Sequence, residues 1–161
     1  MMFDRRFLEI YLNDHRAGSE AGLALARRTL RNNENSDVGA TLRDIVHEIE
    51  EEIVILDEIG RFLSLRPNPV KRLLGRAVEF VARAKPNGRL TEYSPLSRLV
   101  ELESLMGGVA TKRQLWLSLL ASEVAAALEP FDLEGLAKQA VDQHARLSPH
   151  HHAAAAEALV P

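Results

Sequence analysis

The stretch DVGATLRDIVHEIEEEIVILDEIGRFLSLRPNP, residues 37–69, decides the fold of this chain. Apolar residues recur in it as Val38, Leu42, Ile45, Ile49, Ile53, Leu56 and Leu63. Steps of three and four residues set one apolar stripe along a helix and leave the other positions to charged side chains. Asp37 has the short acceptor side chain of an N-cap, so the helix is expected to begin there. It should end near Leu65, because Arg66-Pro67-Asn68-Pro69 cannot continue it. A helix of this length, with one stripe to bury, needs partners of similar length.

The flanking sequence supplies them. A first helix is expected over about residues 3–32, ended by the polar run Asn32-Asn33-Glu34-Asn35-Ser36. Beyond the stop, Pro69 suits the first position of a short segment over about residues 69–84. There Val70, Leu73, Leu74, Ala77, Val78 and Val81 form one face, and Arg72, Arg76 and Arg83 form a basic face opposite. Pro86-Asn87-Gly88 is a turn signal, and Ser94-Pro95 pairs a capping hydroxyl with a first-turn proline. The next helix is expected over about 95–128, until Glu129-Pro130 breaks it. Asp132 then caps a last helix over about 132–160, with a kink or break near Pro149. The expected fold is all-α: a single domain, residues 1–161, built as a four-helix bundle. One long crossover containing the short helix joins the second helix to the third. Such a link can travel the length of the bundle, so those two helices should run parallel.

Composition agrees with this reading. A chain of 161 residues can bury roughly 70% of its unfolded surface without metal or disulfide staples. Cysteine is absent, which removes disulfides, thiolate zinc sites and a cysteine nucleophile, and is compatible with a cytoplasmic location. No apolar run approaches the ~20 residues of a membrane-spanning helix, and charges early in the chain do not suit a signal peptide. A formal net charge of −3 carries no bias toward nucleic acid. The charge is unevenly placed, however. Between Asp44 and Glu58 there are seven acids and no Lys or Arg, and between Arg61 and Arg89 eight basic residues and one acid, Glu79. Two solvated helix faces are the plain reading; an acidic face meeting the basic face of a second copy is the sharper one.

The stretches Tyr11-Leu12-Asn13-Asp14-His15, Asn87-Gly88-Arg89-Leu90-Thr91 and Tyr93-Ser94-Pro95-Leu96-Ser97-Arg98 resemble an uncharacterised group of small actinobacterial ferritin-like proteins. The helix order resembles the ferritin-like superfamily over the whole chain. The resemblance implies a fold and no established activity. Metal sites of that superfamily take a Glu from each of two helices and a Glu-x-x-His motif from each of the others. Neither motif is present. Glu48, Glu50, Glu51 and Glu52 are followed three residues on by Glu51, Ile53, Val54 and Ile55, and Glu134 and Glu157 by Ala137 and Val160. Asp44-Ile-Val-His47 has the spacing, but His47 falls opposite the apolar stripe.

Charged residues nevertheless fall on apolar stripes. Asp14 and His15 straddle that of the first helix, Glu52 lies within that of the second, and Arg113 lies in line with Leu99, Met106, Ala110 and Leu117 in the third. Counted at 1.5 Å per residue, these positions share a height, so Asp14, His15, Glu52 and Arg113 are expected to form a buried polar layer. Two carboxylates and an Arg facing inward should pair, since an unpaired buried charge is very costly. The leading reading is therefore a non-catalytic scaffold or interaction protein that self-associates, with no metal or cofactor expected. One alternative is a divergent metal-binding bundle using Asp14, His15, Glu52, Glu103 and His151. Another is a ligand-binding bundle with a pocket at Gly18, Gly22, Gly107 and Gly108, whose plainer role is to let helix backbones approach closely. Trp116 and Met106 are expected in the core, and His144 and His151 in line with Leu136, Ala140 and Leu147.

Overall fold

The computed structural model describes residues 4–68 and 93–160. Among these residues the protein has no strand. It has four long helices: α1 (Arg5–Asn32), α2 (Asp37–Phe62), α3 (Pro95–Leu120) and α4 (Leu133–Ala158), with a 3-10 turn at Ala125–Leu128 before α4. The short helix expected over 69–84, with Arg72, Arg76 and Arg83, lies outside the described residues.

Local chemistry sets the ends. Asp4, Ser36, Ser94 and Asp132 each accept a backbone N–H from the first turn of the helix they precede, and each such cap is worth about 1 kcal/mol. The N-cap of α2 is thus Ser36, with Asp37 as its first residue. α2 stops at Phe62, three residues short of the expected end. Ser64 there takes a left-handed φ of 53°, while the N–H groups of Ser64 and Leu65 donate to the carbonyls of Arg61 and Gly60. This is the paired C-terminal bonding of a Schellman motif, and it turns the chain before Pro67 is reached. α3 stops at Leu120 rather than near Leu128, and Ser122 Oγ donates to the Leu119 carbonyl at 2.8 Å. That bond gives the backbone a local alternative to another helical turn. α4 is continuous through Pro149, so of the expected kink or break there is no break.

Long-range pairs fix the directions. Arg28 near the end of α1 meets Glu101 near the start of α3 at 2.9 Å, so α1 and α3 are antiparallel. Thr41 meets His150 and Glu52 meets Gln143, so α2 and α4 are antiparallel. With two antiparallel hairpins, α1–α2 and α3–α4, it follows that α2 and α3 run parallel. The connection between them has its described ends at opposite ends of the bundle. Leaving α2, Arg66 N–H donates to Glu9 and Asn68 N–H to Asn13, near the start of α1. Entering α3, the Tyr93 hydroxyl accepts from Asn33, just past the end of α1.

The core has two parts. Leu42, Ile45, Ile49, Leu99, Leu102 and Leu147 belong to one apolar cluster. Leu12, Leu56, Ile59, Leu115, Trp116 and Leu119 belong to the other, toward the opposite end. Each fully buried side chain of this size contributes about 1.5–3 kcal/mol. Met106 packs at the edge of the first cluster. The glycines do not have the role expected of them. A Cβ built on Gly18, Gly22, Gly107 or Gly108 meets nothing within 4 Å, so among the described residues no close helix approach depends on them.

Candidate functional site

Between the two apolar clusters lies a set of polar side chains from three helices. Glu52 of α2 is 3% exposed and Gln143 of α4 is wholly buried. Lys112 of α3 reaches across the bundle to both. Its ammonium pairs with Glu52 Oε2 and donates to Gln143 Oε1 at 2.6 Å. The Gln143 amide donates in turn to Glu52 Oε1 at 3.0 Å and to Glu48 Oε2 at 2.8 Å. Glu48 also accepts from Arg146 NH2 at 2.8 and 2.6 Å, and Arg146 pairs with Asp142 at 2.6 Å. The contacts at Glu52 Oε2 and Arg146 Nε lie off the axis of a good hydrogen bond, so attraction between opposite charges holds them. Every charge of the set has a counter-charge, as burial requires.

Electrostatics follow from the burial. Loss of water raises the pKa of Glu52, opposed chiefly by Lys112. The same loss lowers the pKa of Lys112, opposed by Glu52. Arg146 is held above its ordinary value: burial works against the charge, but Glu48 and Asp142 outweigh it.

Of the expected layer, only Glu52 is placed in this set. Arg113 is exposed and so is Asp14, which corrects the layer in two of its four members. In α3 the buried phase runs through Leu105, Val109, Lys112, Trp116 and Leu119, so Lys112 takes the inward place assigned to Arg113. In α1 the inward cation is Arg16, two residues past Asp14. Its Nε and NH2 donate to Asp57 at 2.9 and 3.1 Å, and its NH1 to Glu20 at 2.8 Å. Burial alone would lower the Arg16 pKa, and the two carboxylates outweigh it. His15 is partly buried against Tyr11, with ring centroids 4.5 Å apart. Desolvation lowers its pKa and Asp14 opposes the shift.

The alternative metal set Asp14, His15, Glu52, Glu103 and His151 does not converge. His151 and Glu103 approach to 3.3 Å on the α3–α4 surface, apart from buried Glu52, and among the described residues no three His, Asp or Glu side chains gather as metal ligands. His144 is exposed rather than in line with the core. One end of the bundle carries a second network. The Tyr93 hydroxyl donates to Glu101 at 3.0 Å, and Arg98 joins Asn33 to Glu157. Desolvation, opposed by the Asn33 bond and reinforced by Glu101, pushes the Tyr93 pKa up to about 12. The sequence reading missed Lys112, Gln143, Arg146 and Arg16. A signal was present for Gln143, which falls in step with Leu136, Ala140 and Leu147.

No protein family, curated protein or solved structure matches this chain. No helix among the described residues is long and apolar enough to cross a membrane.

Proposed function

We propose that the chain is a non-catalytic, ferritin-like bundle that serves as a cytoplasmic scaffold or interaction protein and self-associates. The observation that carries this reading is the position of the Lys112 ammonium. It lies at the centre of the bundle against Glu52, where a metal-dependent bundle directs its carboxylates at ions. A fixed cation in that place repels a divalent metal and occupies the carboxylate such a metal would need. The parallel course of α2 and α3 supports the ferritin-like part of the reading, since it demands one long connection. The interaction part is supported by apolar side chains exposed on α2 and α4. Val54 and Val141 are 53% and 50% exposed, and the Glu52–Gln143 register sets them at one height. Exposed Asp44, Glu51 and Glu58 lie on the same helix as Val54 and suit a basic surface, such as the Arg72, Arg76 and Arg83 face of a second copy.

Elemental analysis of protein purified without a histidine tag tests the reading. Iron, manganese and zinc are expected well below one ion per chain. Two tightly held ions per chain, lost on Glu48→Gln and Glu52→Gln, would overturn it. Sedimentation at low and high salt tests self-association. Charge-driven contacts are screened beyond about 8 Å at physiological ionic strength, so added salt should shift the protein toward monomer. A monomer under every condition removes that part.

A further inference from the structure

A cleft of about 330 Å³ opens at the end of the bundle where α1 begins and α2 ends. Leu12, Leu56, Leu65 and Pro67 line it on the apolar side, with Gly60 between α2 and the open space. A Cβ at Gly60 would meet nothing within 4 Å, so the absent side chain leaves room that any other residue would fill. The volume is at the small end of pockets that hold small molecules.

The polar lining is one-sided. Asn13 has both donors engaged, because its amide donates to the Glu9 and Arg66 carbonyls, and its oxygen accepts from Asn68 N–H. Both Asp57 carboxylate oxygens accept from Arg16. Arg16, itself 8% exposed, uses three N–H groups in its bonds to Asp57 and Glu20. A guanidinium has about five, so donors are left over. Arg61 makes one long bond to the Asp57 carbonyl at 3.4 Å and stands 4.0 Å from Glu58. The Arg66 side chain is exposed and forms no hydrogen bond or ion pair with a described residue. The cleft therefore has donors and positive charge to spare, and its carboxylate is already engaged by Arg16, beside an apolar wall.

We propose that this cleft binds a small amphiphilic monocarboxylate. Its apolar body lies against Leu12, Leu56 and the gap at Gly60, and its carboxylate takes the N–H groups of Arg61, Arg66 and Arg16. Guanidinium forks match a carboxylate in geometry as well as charge. The site needs neither metal nor self-association, so it stands apart from the scaffold reading.

The probe is octanoate, with 1-octanol as the neutral comparison of equal chain length. Trp116, the single tryptophan, packs in the cluster that holds Leu12 and Leu56, so its emission reports filling of the cleft. Calorimetry gives the stoichiometry. One octanoate per chain is expected to bind saturably, with octanol at least about tenfold weaker, the loss of one charge-assisted contact. Gly60→Leu fills the gap from a helical position that gains by losing glycine, and should abolish binding. Arg61→Gln with Arg66→Gln, both exposed and harmless to folding, should weaken octanoate about tenfold and leave octanol unchanged. Absence of saturable octanoate binding overturns the proposal. So does equal binding of octanol, or octanoate binding by the double arginine variant at the strength of the parent.

Discussion

Replacing Lys112 by Met removes the cation that pairs with Glu52 while keeping the length and apolar stem of the side chain. The carboxylate is 3% exposed and its pKa is already raised by burial, so its way out is to take a proton. From the ordinary value of 4.5 to pH 7 is about 2.5 pH units, and each unit is about 1.36 kcal/mol. The ceiling on the charge part of the loss is thus about 3.4 kcal/mol at pH 7 and about 0.7 kcal/mol at pH 5. Removing Lys112 also removes the cost of burying its ammonium, which brings the net loss at pH 7 to about 2–3 kcal/mol. The sign follows from the raised pKa in the folded state. A neutral Glu52 carries its full contribution below 4.5, and stability is lost as pH rises through the folded value. Urea unfolding followed by far-UV circular dichroism at pH 5 and pH 7 measures both figures. Adding Glu52→Gln should restore most of the loss, because the new amide no longer has a charge to bury. A Lys112→Met protein as stable as the parent at pH 7, or equally weakened at both pH values, would refute the account of the layer.

Three further outcomes follow. Arg113→Met should change unfolding stability by no more than about 0.5 kcal/mol, as usual at an exposed site; a loss near that of Lys112→Met would put Arg113 back in the core. Gly107→Ala and Gly108→Ala should each add about 0.5–1 kcal/mol, read as a rise in Tm, since nothing obstructs the new methyl; a fall would mean that the glycines serve a contact. His15 titrates below its ordinary 6.5 in the folded protein, so the unfolded chain takes the proton first and stability declines as pH drops through 6.5. His15→Gln should flatten that slope in thermal melts between pH 7 and pH 5, and an unchanged slope would assign it to another group.

Most of the fold was legible because its determinants are local. The α2 stripe and the capping side chains at residues 94 and 132 fix where three helices begin, and the 32-residue gap between α2 and α3 is long enough for those helices to run parallel. What failed was equally physical. The end of α2 depends on Ser64 adopting a left-handed φ, which a serine seldom does and a sequence does not announce. The end of α3 depends on a local hydroxyl bond competing with the helix. Pro149 removes only one backbone bond, and α4 continues because packing on both sides of that point outweighs the loss.

The site was less legible, and α3 shows why. Its apolar residues spread over most of its circumference, so two phases fit equally well by eye: Leu99, Met106, Ala110, Arg113 and Leu117, or Leu105, Val109, Lys112, Trp116 and Leu119. A shift of one residue is 100° of rotation, enough to exchange a buried cation for an exposed one. Height, in contrast, survives such an error, because one residue is only 1.5 Å along the axis. Counting along parallel second and third helices put Glu52 and Arg113 at one height, and the structure pairs Glu52 with Lys112. A charge expected at that level was therefore found there, on the neighbouring side chain. Burial physics could have chosen between the phases. Trp116 is the largest side chain in α3 and fully buried, and the phase that buries it points Lys112 inward. The same phase sends Arg113 to solvent, where water keeps the guanidinium hydrated.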